Sequence, residues 1–262
     1  METLPRAARP APTLDDVRER LQRPDARVLV LTGAGVSVAA GLPTYRGNGG
    51  LYKDGGVIPL TASDATSRSI HKVWQHVGGL RAGGPTPLHR ALAALGDTAR
   101  TVTVATQNID GLHAFAGSTE LALHGTIARA RCLNPKYEHA TEVRLETMPQ
   151  SPEDVPRCQE CNARLRPDVV LFGERLSMAV WSRAWRASEE ADVVLAVGTS
   201  LQVHPAADLV LEPVSRGIPG AWLDLDPARM LPDVDVTVRD AASRLVQVPG
   251  DCQVTLPALL GL

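Results

Sequence analysis

Five short runs rich in apolar and β-branched residues constrain the fold of this chain more than any other feature. Arg27–Leu31 is continuously hydrophobic after its first residue, and comparable runs recur at Thr101–Thr106, Val169–Phe172, Asp192–Val197 and Gly220–Leu225. A strand with one wet face alternates polar and apolar residues, whereas a continuous run fits a strand buried on both faces. Helical patterns fall between the runs: Thr86–Leu95, with Thr86 as cap and Pro87 at the first helical position, Leu176–Glu190 and Pro205–Val214. Strands alternating with helices predict an α/β fold with a doubly wound, Rossmann-like parallel sheet. A first helix is expected to start after Thr13, which Asp16 can cap in return, and to run to about Leu21.

A chain of 262 residues that is 44% hydrophobic can hold one such domain and a small insertion without disulfides to secure its core. A net charge of −2 leaves no footprint for nucleic acid. Residues 1–12, rich in Pro and Ala, are expected to be disordered and contain no apolar signal-peptide core. Runs such as Val28–Leu31 and Val193–Val197 are far too short to span a bilayer. The expectation is a cytoplasmic monomer with no membrane or nucleic-acid partner. Two stretches break the rhythm. Gly47–Gly84, with many Gly and Ser residues, reads as an insertion or lid, and Arg129–Arg166, polar and bearing three of the four cysteines, as an appended module. The expected division is therefore a large part built from residues 13–46, 86–128 and 167–262, a module near 129–166 and a lid near 47–85.

The first strand runs straight into Thr32-Gly33-Ala34-Gly35-Val36-Ser37. A Gly-x-Gly after a first strand lets backbone approach a pyrophosphate, although two glycines alone also suit a tight strand–helix turn. A dinucleotide dehydrogenase would place a third glycine where Val38 stands and an acidic residue at the end of a second strand. The chain instead continues Gly41-Leu42-Pro43-Thr44-Tyr45-Arg46-Gly47, which argues against hydride transfer. Asn108 and Asp110 follow the run Thr101–Thr106, at the carboxyl end where an open sheet binds ligands, or where an Asx turn closes a strand. His124 lies between the apolar Leu121–Leu123 and Gly125, and an imidazole titrating near pH 6.5 suits a general base. His89 and His113 read as structural. Cys158 and Cys161 form a Cys-x-x-Cys pair, a pattern of metal or redox chemistry before disulfides.

Taken whole, Gly33 to Gly47 resembles the first signature of the sirtuins, the NAD-dependent protein lysine deacylases. Thr106 to His113 resembles the second signature, Leu123-His124-Gly125 the catalytic histidine motif, Arg166 to Glu174 the substrate-binding segment and Val197 to Val203 the late cofactor loop. The resemblance covers roughly residues 13–260 and implies a Rossmann-like sheet with a small zinc-ribbon-like module and a flexible cofactor loop. It implies NAD contacts from Gly33, Ala34, Gly35, Ser37, Thr44, Tyr45, Arg46, Gln107, Asn108, Ile109, Asp110, Gly198, Thr199, Ser200, Asp224 and Cys252. Asn108 would orient ribose and water, Asp110 hold the nicotinamide carboxamide, and His124 act as base. An acylated-lysine peptide would add as a strand along Val170, Leu171, Phe172, Gly173 and Glu174. The implied reaction bonds the acyl oxygen to C1′ of the nicotinamide ribose as nicotinamide leaves. His124 then deprotonates a ribose hydroxyl, and water releases lysine and O-acyl-ADP-ribose.

The chain departs from the family pattern at several positions. Zinc in that module takes two Cys-x-x-Cys pairs; here Cys132 is followed by Pro135 in the second ligand place, with His139 as a substitute. Zinc on Cys132, Cys158 and Cys161 and three buried thiols without metal stay open as alternatives. Tyr45 stands where the family has Phe, and Asp224 where it has Asn against the adenosine ribose. Thr44 matches a bacterial and mitochondrial subgroup that includes desuccinylases, which bind the acyl carboxylate with a Tyr-x-x-Arg pair after Val-Trp. Val73-Trp74 is present, but those places hold Val77 and Leu80, with Arg81 one residue on, so acetyl or an uncharged acyl group is expected over succinyl. ADP-ribosyl transfer or NAD hydrolysis on the same scaffold, and a non-catalytic NAD or ADP-ribose sensor, are the alternative functions.

Overall fold

Thr13 caps the first helix in both directions: its side chain accepts from the Asp16 N–H, and the Asp16 carboxylate accepts from the Thr13 N–H at 2.7 Å. The computed structural model describes residues 11–45, 50, 59–66, 68–78, 83–96, 100–134, 140–142 and 149–261. Helix α1 (Leu14–Gln22) leads into β1 (Arg27–Thr32), and a 3-10 helix over Ala34–Ala40 follows the glycine loop. Next come α2 (Ile70–Gly78), α3 (Pro87–Gly96), β2 (Thr101–Thr106), α4 (Leu112–Phe115), β3 (Glu120–Ala122), β4 (Gly125–Cys132), β5 (Ala140–Glu142) and β6 (Leu165–Val169). The second half holds α5 (Met178–Glu190), β7 (Val193–Val197), α6 (Asp208–Ser215), β8 (Gly220–Asp224), α7 (Pro227–Met230), α8 (Arg239–Ser243), β9 (Val246–Pro249) and α9 (Cys252–Leu260).

Six of these strands make one parallel sheet in the order β3-β2-β1-β7-β8-β9. The burial of β1 explains its unbroken apolar run. Leu29 and Leu31 point into a core shared with Trp222 and with Leu209, Val210 and Val214 of α6. Val28 and Val30 point into the opposite core, with Val17 of α1, Leu88 and Leu92 of α3 and Leu256 of α9. Helices thus cover both faces, and alternation has no wet side to report. The chain builds outward from β1 through β2 and β3, then returns to build through β7, β8 and β9. The switch point lies between β1 and β7, directly above which sits the glycine loop.

One apolar run belongs elsewhere. Val169–Phe172 was expected among the parallel strands, but the strand there is β6, and it pairs antiparallel to β4 in a separate sheet of order β5-β4-β6. Its apolar content arises from a third core, in which Ile70, Val73, Trp74 and Val77 of α2 meet Ala130, Val155, Leu165, Val169 and Leu171. The Trp74 indole N–H donates to the Leu165 carbonyl at 3.1 Å and ties α2 to that sheet. Strand β9, four residues ending in Pro249, carries too short a pattern to read from sequence. No helix among the described residues is long and apolar enough to cross a membrane.

Candidate active site

The glycine loop is fixed by backbone contact with the end of β7. Gly33 N–H donates to Val197 O at 3.1 Å and Gly35 N–H to Gly198 O at 2.9 Å. A Cβ on Gly35 would stand 2.7 Å from Gly198 Cα, and one on Gly198 would stand 2.6 Å from Val36 N. Gly198 also has φ +59°, in the left-handed region. All three glycines therefore serve loop-against-loop packing at the switch point, and the loop wall facing the cleft is Gly33, Ala34 and Gly35.

Behind that wall runs a hydrogen-bond chain. The Asn108 side-chain amide donates to Gly33 O at 3.0 Å and to Ser37 Oγ at 3.2 Å, and Ser37 Oγ donates to the Asp110 carboxylate at 2.8 Å. The other Asp110 oxygen accepts from Leu112 N–H at 2.9 Å, next to Gly111 with φ +72°. Ser37 is 1% exposed, so its hydroxyl is committed to Asp110. Asn108 lines the cleft, whereas Ser37 and Asp110 stand behind it. Beneath lie His113, bonded through Nε2 to Thr32 Oγ1 at 3.0 Å, and His89, bonded through Nδ1 to Thr86 Oγ1 at 2.7 Å. Their rings are 4.5 Å apart and fully buried, and burial pushes His89 down to about 4 and His113 to about 3. Both are neutral supports for the loop.

His124 follows β3 and faces the cleft opposite the glycine loop. Its Nδ1 lies 2.9 Å from the Gln107 carbonyl, an acceptor only, so Nδ1 carries the proton and Nε2 is the basic nitrogen. Burial lowers its pKa below the ordinary 6.5, against a smaller upward push from the Gln107 hydrogen bond. Gln107 is held in turn, its amide donating to Thr199 Oγ1 at 2.8 Å. His124 thus stays neutral, and able to accept a proton, through neutral pH.

At the far end of the cleft Asp224 closes β8, with one oxygen accepting from Leu225 N–H at 2.7 Å. Burial pushes this carboxyl up to about 6, partly countered by that N–H. Cys252 lies alongside, its thiol 3.8 Å from Gly35 O and pushed up to about 12, by burial first and then by the charges of Asp251 and Asp224. It is a neutral packing group there. Thr44, Tyr45, Ile109, Thr199 and Ser200 also line the cleft, while Arg46 lies outside the described residues.

The other wall is the segment after β6. Val170 N–H donates to His124 O at 2.8 Å, Phe172 N–H donates to Leu60 O at 3.1 Å, and Phe172 O accepts from Ala62 N–H at 2.8 Å. Val169 to Glu174 all line the cleft. The Glu174 carboxylate turns back to Arg166 and Arg131 instead of extending outward.

In the small sheet, Cys132, Cys158 and Cys161 place their sulfurs within 4.8 Å of one another, with Cys132 Sγ 3.4 Å from Cys161 Sγ. Burial pushes the Cys132 thiol up to about 11 and the neighbouring thiols add to this, an arrangement that a divalent cation would reverse by binding thiolates. The donor set fits zinc. Pro135 and His139, like Leu80 and Arg81, lie outside the described residues.

Several residues of the site had no motif to announce them. Trp222, fully buried on β8, donates its indole N–H to Thr199 O at 2.8 Å and fixes the late cofactor loop. A Trp inside an apolar strand needs an N–H partner, which was the available signal. Arg131 gave none beyond its charge, and Arg166 none beyond its place at the head of the Arg166–Glu174 segment.

Comparison with known proteins agrees with this geometry. A family model described as the Sir2 family matches residues 33–205. An NAD-dependent protein deacylase of Thermus thermophilus is 38% identical over 238 residues, 87% of this chain and 91% of that protein. A solved Sir2 homologue–NAD complex matches with a TM-score of 0.73 and 31% identity, covering 94% of this chain and 92% of that one. A Sir2 protein bound to a myristoylated histone peptide matches with a TM-score of 0.65 and 26% identity, over 95% of this chain and 96% of that one.

Proposed function

The chain belongs to the Sir2 family and is an NAD-dependent protein deacylase, and on that premise we propose that His124 is its base and that it removes acetyl or other uncharged acyl groups from lysine. The observation that carries the first part is the Nδ1 contact of His124 with the Gln107 carbonyl, 2.9 Å long. It fixes the tautomer, leaves Nε2 as the basic nitrogen at the cleft and ties the base to Gln107, the residue before Asn108.

Bound NAD supplies the ribose carbon to which the acyl oxygen becomes bonded as nicotinamide departs. The residues of the chain bind, orient and take up the proton. Gly33, Ala34 and Gly35 offer a cleft wall of backbone at the switch point, suited to the pyrophosphate, and Asp224 offers carboxylate oxygens to ribose hydroxyls. Asn108, held by Gly33 O and Ser37, presents its amide oxygen at the reacting end. Asp110 acts through Ser37 and the backbone of Leu112, setting the loop that bears Asn108. The peptide strand lies along Val170–Gly173, where main-chain pairing supplies affinity without a charged patch. Cys132, Cys158 and Cys161 would hold a zinc ion, whose chemistry there would be to brace the small sheet.

The acyl preference rests on the apolar wall where α2 meets the cleft. Val77 stands there with Leu60, Ile109, Val169 and Leu171. His76 beside it is lowered by burial, so it is neutral at pH 7 and gives a carboxylate no counter-charge. Among the described residues of that wall an acyl carboxylate finds no counter-charge, and its desolvation there is strongly unfavourable. Turnover on acetyl-lysine and succinyl-lysine versions of one peptide tests this reading. Acetyl is expected to be favoured by roughly 10-fold or more, as an unpaired buried charge implies, and a preference for succinyl would overturn it.

A further inference from the structure

Glu174 sits on the peptide-facing segment, yet every contact of its carboxylate points inward. Arg166, 4% exposed, donates to Glu174 through both terminal nitrogens, with Nη2 3.0 Å from Oε2, and sends Nη2 to Val169 O at 2.7 Å as well. Arg131 Nη2 reaches Glu174 Oε2 at 3.1 Å, and the same oxygen accepts from Leu171 N–H at 3.0 Å. Glu174 N–H returns to Leu171 O at 3.0 Å, closing a tight turn. Burial works to raise the Glu174 pKa, but the Arg166 and Leu171 hydrogen bonds and the two guanidinium charges outweigh it and hold the group ionised. The cluster continues to Asp168, which pairs with Arg129 at 3.2 Å and with Arg131 at 4.0 Å.

These contacts join three parts of the molecule. Arg131 and Arg166 face each other across the antiparallel β4–β6 pair, adjoining the register partners Cys132 and Leu165. Val169 O and Leu171 N–H belong to the segment that lines the cleft, and Val170 N–H between them holds His124 O at 2.8 Å. We infer that Glu174, gripped by Arg166 and Arg131, is a positioning residue: it locks residues 169–171 into the conformation that receives the acyl-peptide strand, and so couples the cysteine-bearing sheet to His124. The carboxylate itself does not touch substrate. The substrate half of this inference rests on the proposed pairing of the peptide with Val170–Gly173.

A merely structural ion pair would stabilise the fold without singling out these amides. The test therefore compares parent, Glu174→Gln and Glu174→Ala by amide hydrogen exchange without peptide, together with KM for an acetyl-lysine peptide and KM for NAD. Glu174→Gln keeps the shape and one acceptor, so it reports even where Glu174→Ala fails to fold. In Glu174→Gln the amides of Val170 and Leu171 are expected to exchange faster by on the order of 10-fold, with amides of β1 and β7 unchanged. Peptide KM rises with them while NAD KM holds. Unchanged exchange at Val170 and Leu171 overturns the positioning role. Faster exchange with an unchanged peptide KM keeps the lock and removes the strand-addition reading on which its substrate half depends. Equal acceleration over the whole sheet identifies Glu174 as a general stabiliser and also overturns the inference.

Discussion

Single residues in this site owe their properties to burial and to one or two fixed partners. Asp224 is the clearest case, because the carboxyl is pushed up to about 6 by burial and keeps one oxygen on Leu225 N–H. In the proposed ribose contact the ionised form would accept from hydroxyls with its free oxygen, and the protonated form would lose acceptor capacity. The shift is upward, so the acceptor form dominates above about pH 6 and is lost as pH falls through that value. The dissociation constant for NAD is therefore expected to be flat from pH 8 to 7 and to rise as pH drops toward 5.5. Asp224→Asn, which keeps a neutral acceptor, should flatten that rise; calorimetric titration across this range decides, and a parent enzyme with no such rise removes Asp224 from the ribose contact. The residue's identity was readable from its place in the sequence, but its environment was not. An Asp that ends an apolar strand looks exposed until the neighbouring Gly250–Cys252 turn is seen to cover it. The same holds for Ser37, which the resemblance counts among the NAD contacts: its hydroxyl donates to Asp110 and accepts from Asn108.

Among elements, the parallel sheet was legible because both its faces are covered, which leaves near-continuous apolar runs at β1, β7 and β8 and a β-branched one at β2. The small sheet was not, since β4 reads Gly-Thr-Ile-Ala-Arg-Ala-Arg-Cys, with two arginines serving a charge cluster that only the fold assembles. The run at Val169–Phe172 misled for a related reason: its apolar side chains pack on α2, outside the main sheet. The glycine loop and the late loop are a single device at the switch point, as the backbone approach of Gly35 to Gly198 requires. In Gly198→Ala the new Cβ stands 2.6 Å from Val36 N at φ +59°. The strain costs about 2 kcal/mol or more, and lowers Tm by roughly 4–8 °C. NAD binding falls with it because the loop must shift. A variant with parental Tm and NAD affinity would show that the two loops are independent.

On the proposed function, cofactor and peptide fall on two bodies of structure that meet at His124. The large sheet carries the glycine loop, Asn108 and Asp224, and the small sheet carries the cysteines and hands its last strand to the peptide wall. Metal content tests the state of the small sheet. Protein purified without chelator is expected to carry about one zinc per chain, and Cys158→Ser to lose it along with several degrees of Tm, because binding energy at a structural zinc site is folding energy. Metal-free protein with full stability would leave three free thiols in its place. The central claim concerns His124, and the products formed with NAD and an acetyl-lysine peptide test it most directly. Mass spectrometry should find one nicotinamide and one O-acetyl-ADP-ribose for each lysine freed, with His124→Ala slower by about 10²–10⁴-fold and NAD affinity retained. ADP-ribose attached to the peptide, or product formation that His124→Ala leaves untouched, would contradict the account.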